Sequence, residues 1–324
     1  MTQKGNQISF RPDIKVVDCT VRDGGLVNNF YFDDQFVKDL YYANIDAGVD
    51  YMEFGYKASK DMFDQNEFGK WKFCDEQSIR EIVGENNSDL KISVMADVGR
   101  TDYKRDIIDS KDSVIDLVRV ATYINTIPAA VEMVNYCAQK GYETSVNVMA
   151  VSTAAESDID IALELLGKSK AETIYLVDSY GSLYPEQMQN LSEKYVAVAE
   201  KYGKHIGIHA HNNQQLAFAN TIESMRRGVS YLDATMSGMG RGAGNCAMEL
   251  LLGFLKNPKY NLNPVLKFVQ TQMNKLKDEG VVWGCDVPYM LTGQLNQHPR
   301  DAIAFMKEHR NNYYEFYQTL LDKE

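Results

Sequence analysis

The chain has 324 residues, 44% hydrophobic and 24% charged, which fits one barrel of about 250 residues with an appendage, or two ordinary domains. Its 34 Lys and Arg against 45 Asp and Glu leave a net charge of −11, a surface that repels nucleic acid and anionic lipid. The five scattered cysteines contain no CxxC pair, which argues against a disulfide framework or thiolate zinc site and suits a reducing compartment.

The N-terminal MTQKGNQISFRPD is polar and lacks the apolar core of a secretory signal, and no apolar run approaches the roughly 18 residues of a membrane span. The expectation is a cytoplasmic protein with neither a membrane nor a nucleic-acid partner.

In chain order, eight apolar runs read as strands: IKVVDCT (14–20), VDYMEFGY (49–56), LKISVMADV (90–98), SVIDLVRVA (113–121), YETSVNVMA (142–150), ETIYLVDSY (172–180), KHIGIHAHN (204–212) and VSYLDATM (229–236). Each is rich in Val, Ile or Tyr, as buried strands are. Segments of helical periodicity lie between them. DDQFVKDLYYANIDAG (33–48) opens on acids and ends at Gly48. IPAAVEMVNYCAQKG (127–141) has Pro128 near its start and Gly141 at its end. Eight strands alternating with helices predict a TIM (β/α)8 barrel.

The eighth helix, NCAMELLLGFL, ends near residue 255. We divide the chain into a barrel domain over 1–259, its first thirteen residues a polar tail, and a C-terminal helical extension over 260–324. The polar, aromatic segment 57–77 after the second strand is long enough to form a lid beside a site.

A TIM barrel carries its active site at the C-terminal ends of the strands. The seventh ends in His209-Ala210-His211, whose imidazoles share a face. The pair reads either as ligands to one cation or as histidines held by hydrogen bonds. The first strand ends in Arg22-Asp23-Gly24-Gly25, with Asp23 just past the strand. Asp23 offers a hard oxygen ligand and Arg22 a fork of donors for a carboxylate or developing oxyanion; the alternative is an ion pair at a surface turn.

Barrel closure puts strands one and seven about 10 Å apart, with strand eight between them, so Asp23, His209 and His211 can meet. Asn245, where the loop after strand eight opens the eighth helix, could add an amide oxygen. Four nitrogen and oxygen ligands without a thiolate favour Mg2+, Mn2+ or Co2+. The same loop, Gly238-x-Gly240-x-x-Ala243, matches a dinucleotide fingerprint. The acidic residue that should follow about twenty positions on is absent, because 250–277 contains no Asp or Glu.

Together DCTVRDGG (18–25), VDSYGSLYPEQM (177–188), GIHAHNNQQLAFAN (207–220) and GMGRGAGNCAMELLL (238–252) resemble the DRE-TIM metallolyase superfamily over about 14–255. That superfamily includes 4-hydroxy-2-oxovalerate aldolase, hydroxymethylglutaryl-CoA lyase, and the isopropylmalate and homocitrate synthases. The resemblance implies a cytoplasmic carbon–carbon lyase that acts through a metal-stabilised enolate. Asp23, His209, His211 and Asn245 would be its ligands to Mn2+ or Mg2+, with Co2+ or Zn2+ as alternatives, and Arg22 would stabilise the enolate oxygen. Glu53 matches an acidic residue of the family and reads as catalytic or as a structural carboxylate.

The chain looks closest to the oxovalerate aldolases, which implies retro-aldol cleavage of a 4-hydroxy-2-keto acid to pyruvate. A long regulatory extension of the synthase kind is absent. Cys246 follows Asn245 and so is out of register with the catalytic cysteine of the CoA lyases. One departure is the lack of the aldolases' histidine after RDG, since the chain reads RDGGLVNNFYF. Aldolases also use a C-terminal tyrosine, for which DVPYMLTGQLNQHP offers Tyr289, with His298 as a spare acid or base; DVPYMLTG reads equally as a helix entry packing on the barrel. The alternatives are an acyl-CoA/2-keto acid condensing enzyme and a non-catalytic metal-binding barrel. KFVQTQMNKLKDEG and YYEFYQTLLDKE are where a second copy, or the aldehyde dehydrogenase that partners oxovalerate aldolases, would dock.

Overall fold

A computed structural model describes residues 9–323. Residues 1–8 of the expected polar tail, and residue 324, lie outside the described residues. Eight parallel strands close into a barrel in sequence order: β1 (Lys15–Asp18), β2 (Tyr51–Tyr56), β3 (Lys91–Asp97), β4 (Leu117–Tyr123), β5 (Glu143–Met149), β6 (Thr173–Asp178), β7 (His205–Ala210) and β8 (Tyr231–Ala234). β8 returns to β1, with Lys15 beside Tyr231 and Val17 beside Asp233. The TIM barrel expected from the periodicity is the fold.

Alternation along the strands sorts the side chains into two environments. One set, including Met52, Phe54, Ile92, Val94, Val118, Val120, Ile174, Leu176, Ile206 and Ile208, is buried in the main apolar core with residues of the surrounding helices. The other set faces the barrel interior. Part of it is apolar, with Val17, Cys19, Tyr51 and Leu117 forming a cluster of their own. Towards the C-terminal end it turns polar, with Glu53, Ser93, Arg119, Ser145, Asn147 and Asp233 all buried. Charges inside a barrel must be paired, so this layer foreshadows a site.

Local signals set the helix ends. In the helix Asp34–Ala47, Asp33 accepts from the Phe36 main-chain N at 2.7 Å, and Gly48 ends it in the left-handed region at φ 71°. The helix Ile127–Gln139 carries Pro128 in its first turn.

Two elements depart from the expectation. Thr20–Asn28 forms a helix directly after β1, so Asp23 sits in its first turn, its main-chain N donating to Cys19 O at 2.9 Å. Asn245 does not open a helix, since the next one begins at Met248. Instead Asn245 is extended, bridged antiparallel to His211. The loop before it is tied to β7 by Asn212 N donating to Gly244 O at 2.8 Å, which holds off helix formation for two more residues.

The residues beyond the barrel form two assemblies. The run Leu262–Asp278, helical with one π turn at Val269–Met273, packs on Asp34–Ala47, with Phe268 against Phe36 at 5.2 Å between ring centroids. The helices Val287–Gln294, Arg300–Lys307 and Tyr313–Leu321 enclose a separate core of Ala302, Phe305, Phe316 and Leu320. This small bundle rests on the C-terminal face of the barrel. Ser182 Oγ donates to Asn296 Oδ1 at 2.7 Å, and Asn296 Nδ2 donates to Ser152 O at 2.9 Å. No described helix is long and apolar enough to cross a membrane.

Candidate active site

A small pocket of about 40 Å³ lies at the C-terminal end of the barrel, lined by Arg22, Asp23, Tyr56, Asn147, Ser179, His209, His211 and Arg241, among others. Strand register brings these residues together. Gly207 of β7 stands beside Tyr231 of β8, so His209, two residues on, reaches the level of Asp233. The Asp233 carboxylate accepts a hydrogen bond from His209 Nδ1 at 3.0 Å. That bond leaves Nε2 buried and without a partner, 4.0 Å from Asp23 Oδ1. The two imidazoles meet edge to face at 5.1 Å.

Asp23, His209 and His211 each offer a ligand atom within 4.8 Å of the others, and all three are buried. Burial holds the His211 pKa down at about 3, so this imidazole keeps a free lone pair near neutrality. Burial pushes Asp23 up, but His211 and the guanidinium of Arg22 outweigh it and hold the carboxyl well below its ordinary range. The Asn245 amide nitrogen donates to Asp23 Oδ2 at 2.7 Å, while its oxygen is buried and unpartnered. Two imidazoles, one carboxylate and two orphaned buried acceptors are what a divalent cation requires of a site.

A second trio, Cys19, His209 and Asp233, also lies within 4.8 Å. Its Asp233 Oδ2 is already shared by His209 and Arg119, although Asp233 Oδ1 has no partner. Arg119 donates to Asp233 at 2.6 Å and to the Cys19 sulfur at 3.3 Å, and burial keeps the Cys19 thiol protonated.

Beneath the cavity the charges form one chain. Arg22 Nε donates to Glu53 at 2.7 Å and Nη1 donates to Asp23 at 2.6 Å. Arg119 donates to the same Glu53 oxygen at 3.0 Å and continues to Asp233. The Tyr175 ring covers the Arg119 guanidinium at 4.3 Å. Glu53 therefore acts here as a joint between two arginines. Arg119 and Asp233 are the residues that motif reading misses. Their signal is a lone charge within a strand, LVRVATY and YLDA, in phase with the inward-facing set.

The Gly-rich loop after β8 folds onto the site. The Arg241 main-chain N donates to Asp23 Oδ2 at 3.2 Å. A Cβ on Gly240 would come within 2.1 Å of Asn245 Nδ2 and 2.3 Å of Asp23 Oδ2. The glycine is thus there for close approach to these two side chains.

Tyr289 is not among the residues that line the cavity; it packs on the apolar cluster of the C-terminal bundle. His298 does not line the cavity either but lies beside a residue that does, with Nε2 3.4 Å from Arg241 Nη1 and its ring 5.5 Å from that of Tyr180. The 57–77 segment is held down at its C-terminal end. Trp71 is buried against Phe54, and the Lys72 ammonium lies 4.4 to 5.5 Å from the rings of Phe30, Tyr56, Phe63 and Phe68.

The HMGL-like family model matches residues 13–276. An oxaloacetate decarboxylase of Mycobacterium tuberculosis is 29% identical over 248 residues, spanning 74% of this chain and 69% of its own. A 4-hydroxy-2-oxovalerate aldolase of Pelotomaculum thermopropionicum is 26% identical over 254 residues, 78% of this chain and 72% of its own. The solved N-terminal domain of a Bacteroides vulgatus protein, provisionally assigned as an aldolase, superposes with a TM-score of 0.78 at 27% identity, covering 90% of this chain and 96% of that one. With its barrel matched throughout and a buried cation site where the strands end, the chain belongs to the HMGL-like family as a metal-binding (β/α)8 lyase.

Proposed function

We propose that the chain is a divalent-cation-dependent aldolase that cleaves a 4-hydroxy-2-keto acid to pyruvate and an aldehyde, and catalyses the reverse addition. The observation that carries the reading is the convergence of Asp23, His209 and His211 beside a fixed arginine in one pocket. These three residues, with Asn245, would hold Mg2+ or Mn2+, which supplies a Lewis acid for the oxygens of a 2-keto acid.

Arg22 has two of its nitrogens tied to Glu53 and Asp23 and a third, Nη2, without a partner among the described residues. The guanidinium is thereby aimed before substrate arrives. It offers its free donor to the oxygen that gains charge as the C3–C4 bond breaks and its electron pair passes to the 2-keto group. Glu53 and Arg119 hold that aim, and Asp233 holds His209 in the tautomer that leaves Nε2 free.

With no histidine after RDG, the 4-hydroxyl proton needs another carrier. We assign it to Tyr56, which lines the cavity, rather than to Tyr289, which does not. Burial keeps the Tyr56 phenol protonated, so it serves as the proton donor to the aldehyde oxygen in the addition direction and, in cleavage, takes the 4-hydroxyl proton only as it hands its own to C3 of the pyruvate enolate. The Tyr56→Phe variant should lose about 10²-fold or more in kcat with the Mn2+ affinity retained.

The decisive experiment dialyses the protein against a chelator, restores Mn2+ or Mg2+, and follows pyruvate release from a panel of 4-hydroxy-2-keto acids. Turnover should disappear with the metal and return with it. Absence of metal-dependent turnover across the panel would sink the reading, and thiol release from acetyl-CoA with a keto acid would replace it with a condensation. The C-terminal bundle is the surface we propose for a second copy or an aldehyde dehydrogenase, which the mass in solution tests.

A further inference from the structure

Arg22 and Arg119 are both neutralised, by Asp23, Glu53 and Asp233. Arg241 is not. Its Nη2 donates to the Ser179 main-chain O at 3.0 Å, its Nη1 has only a long 3.4 Å contact with His298, and its Nε is buried without a partner. Among the described residues no carboxylate is paired with it. His298 brings no balancing charge, because an imidazole is either neutral or a second cation. Yet Arg241 lines the cavity, and its main chain is anchored to Asp23.

An uncompensated, half-buried guanidinium with an orphaned donor is costly unless an anion arrives to meet it. The charge balance identifies that anion. Within this linked cluster two arginines against three carboxylates leave one negative charge over, a divalent cation would make it one positive, and the carboxylate of a 2-keto acid would bring it to zero. Arg241 then still needs a second anionic group. A planar carboxylate suits it, because one edge of the fork remains and there is no ring of donors such as a phosphate needs.

We propose that Arg241 is a specificity residue, and that the substrate is a 2-keto diacid whose second carboxylate, on the fragment beyond C3, docks on this guanidinium. The proposal rests on the keto-acid reading above and narrows its substrate class.

The test compares two non-cleavable five-carbon probes, 2-oxoglutarate and 2-oxovalerate, which differ only in the second carboxylate. Each is titrated calorimetrically into the Mn2+-loaded protein. The diacid is expected to bind about tenfold tighter or better, as one charge-assisted pair implies. Arg241→Leu should remove most of that preference, with a far smaller effect on the monoacid, and Arg241→Lys should restore part of it. Equal affinities in the unmodified protein, or equal losses for both probes in Arg241→Leu, would overturn the assignment. The unmodified protein decides the matter even if a variant folds poorly. Failure of the underlying reading looks different, since neither probe would then bind in a Mn2+-dependent way.

Discussion

Asp233 governs what His209 can do. By accepting a hydrogen bond from Nδ1 at 3.0 Å it fixes the tautomer and ring orientation and keeps Nε2 free. In Asp233→Asn the cation affinity should fall about 10- to 100-fold, which a Mn2+ titration measures directly. Asp178 gives a residue-scale test by pH. Burial raises its pKa from 3.8 to about 7, although it accepts from the Ser182 and Leu183 main-chain nitrogens. A carboxyl raised on folding contributes stability that is fully present below its unfolded pKa and is lost as the pH rises through the folded one. Asn cannot ionise, so any thermal-midpoint advantage of the unmodified protein over Asp178→Asn should shrink between pH 4 and 8. A constant gap would show that Asp178 stays ionised throughout. At this scale Arg22, Asp23, His209 and His211 stand out in the sequence because each lies in a short local pattern. Arg119 does not, since its partners Glu53 and Asp233 lie 66 and 114 residues away.

At the scale of elements, the loop after β8 and the C-terminal bundle have separable roles. The loop needs a residue without a Cβ at position 240 to bring Arg241 and Asn245 onto Asp23. Gly240→Ala should therefore weaken Mn2+ binding more than tenfold, at an overpacking cost of about 1–3 kcal/mol in stability, read by titration and thermal melts together. The bundle has its own core, in which the rings of Phe305 and Phe316 lie 4.4 Å apart. Phe305→Ala should destabilise it by about 3–5 kcal/mol. Hydrogen exchange should then accelerate over 287–321 while the Mn2+ site in the barrel persists. Strand existence was readable because each strand is a short apolar run, and the helix ends at Asp33 and Gly48 because caps are local. The helix Thr20–Asn28 was less so, because two glycines disguise it as a turn.

For the whole molecule, a cation bound only by the folded state couples the site to global stability. Mn2+ at a hundred times its dissociation constant should stabilise the protein by about 2.7 kcal/mol, seen as a higher thermal midpoint that a chelator reverses. Alternation of eight apolar runs with helical periods, set by the chemistry of neighbouring residues, was enough by itself to determine a closed barrel and hence the end at which its motifs meet. The −11 charge was equally legible, since composition needs no fold. Only the tertiary structure decided which charges are spent and which are free. That depends on register around the closed sheet, which sets Asp233 beside His209, joins Arg22 to Arg119 through Glu53, and leaves Arg241 facing the cavity unpaired. It also decided that Tyr56 rather than Tyr289 lines that space, because a side chain's position relative to a distant strand end is a property of packing and not of sequence pattern.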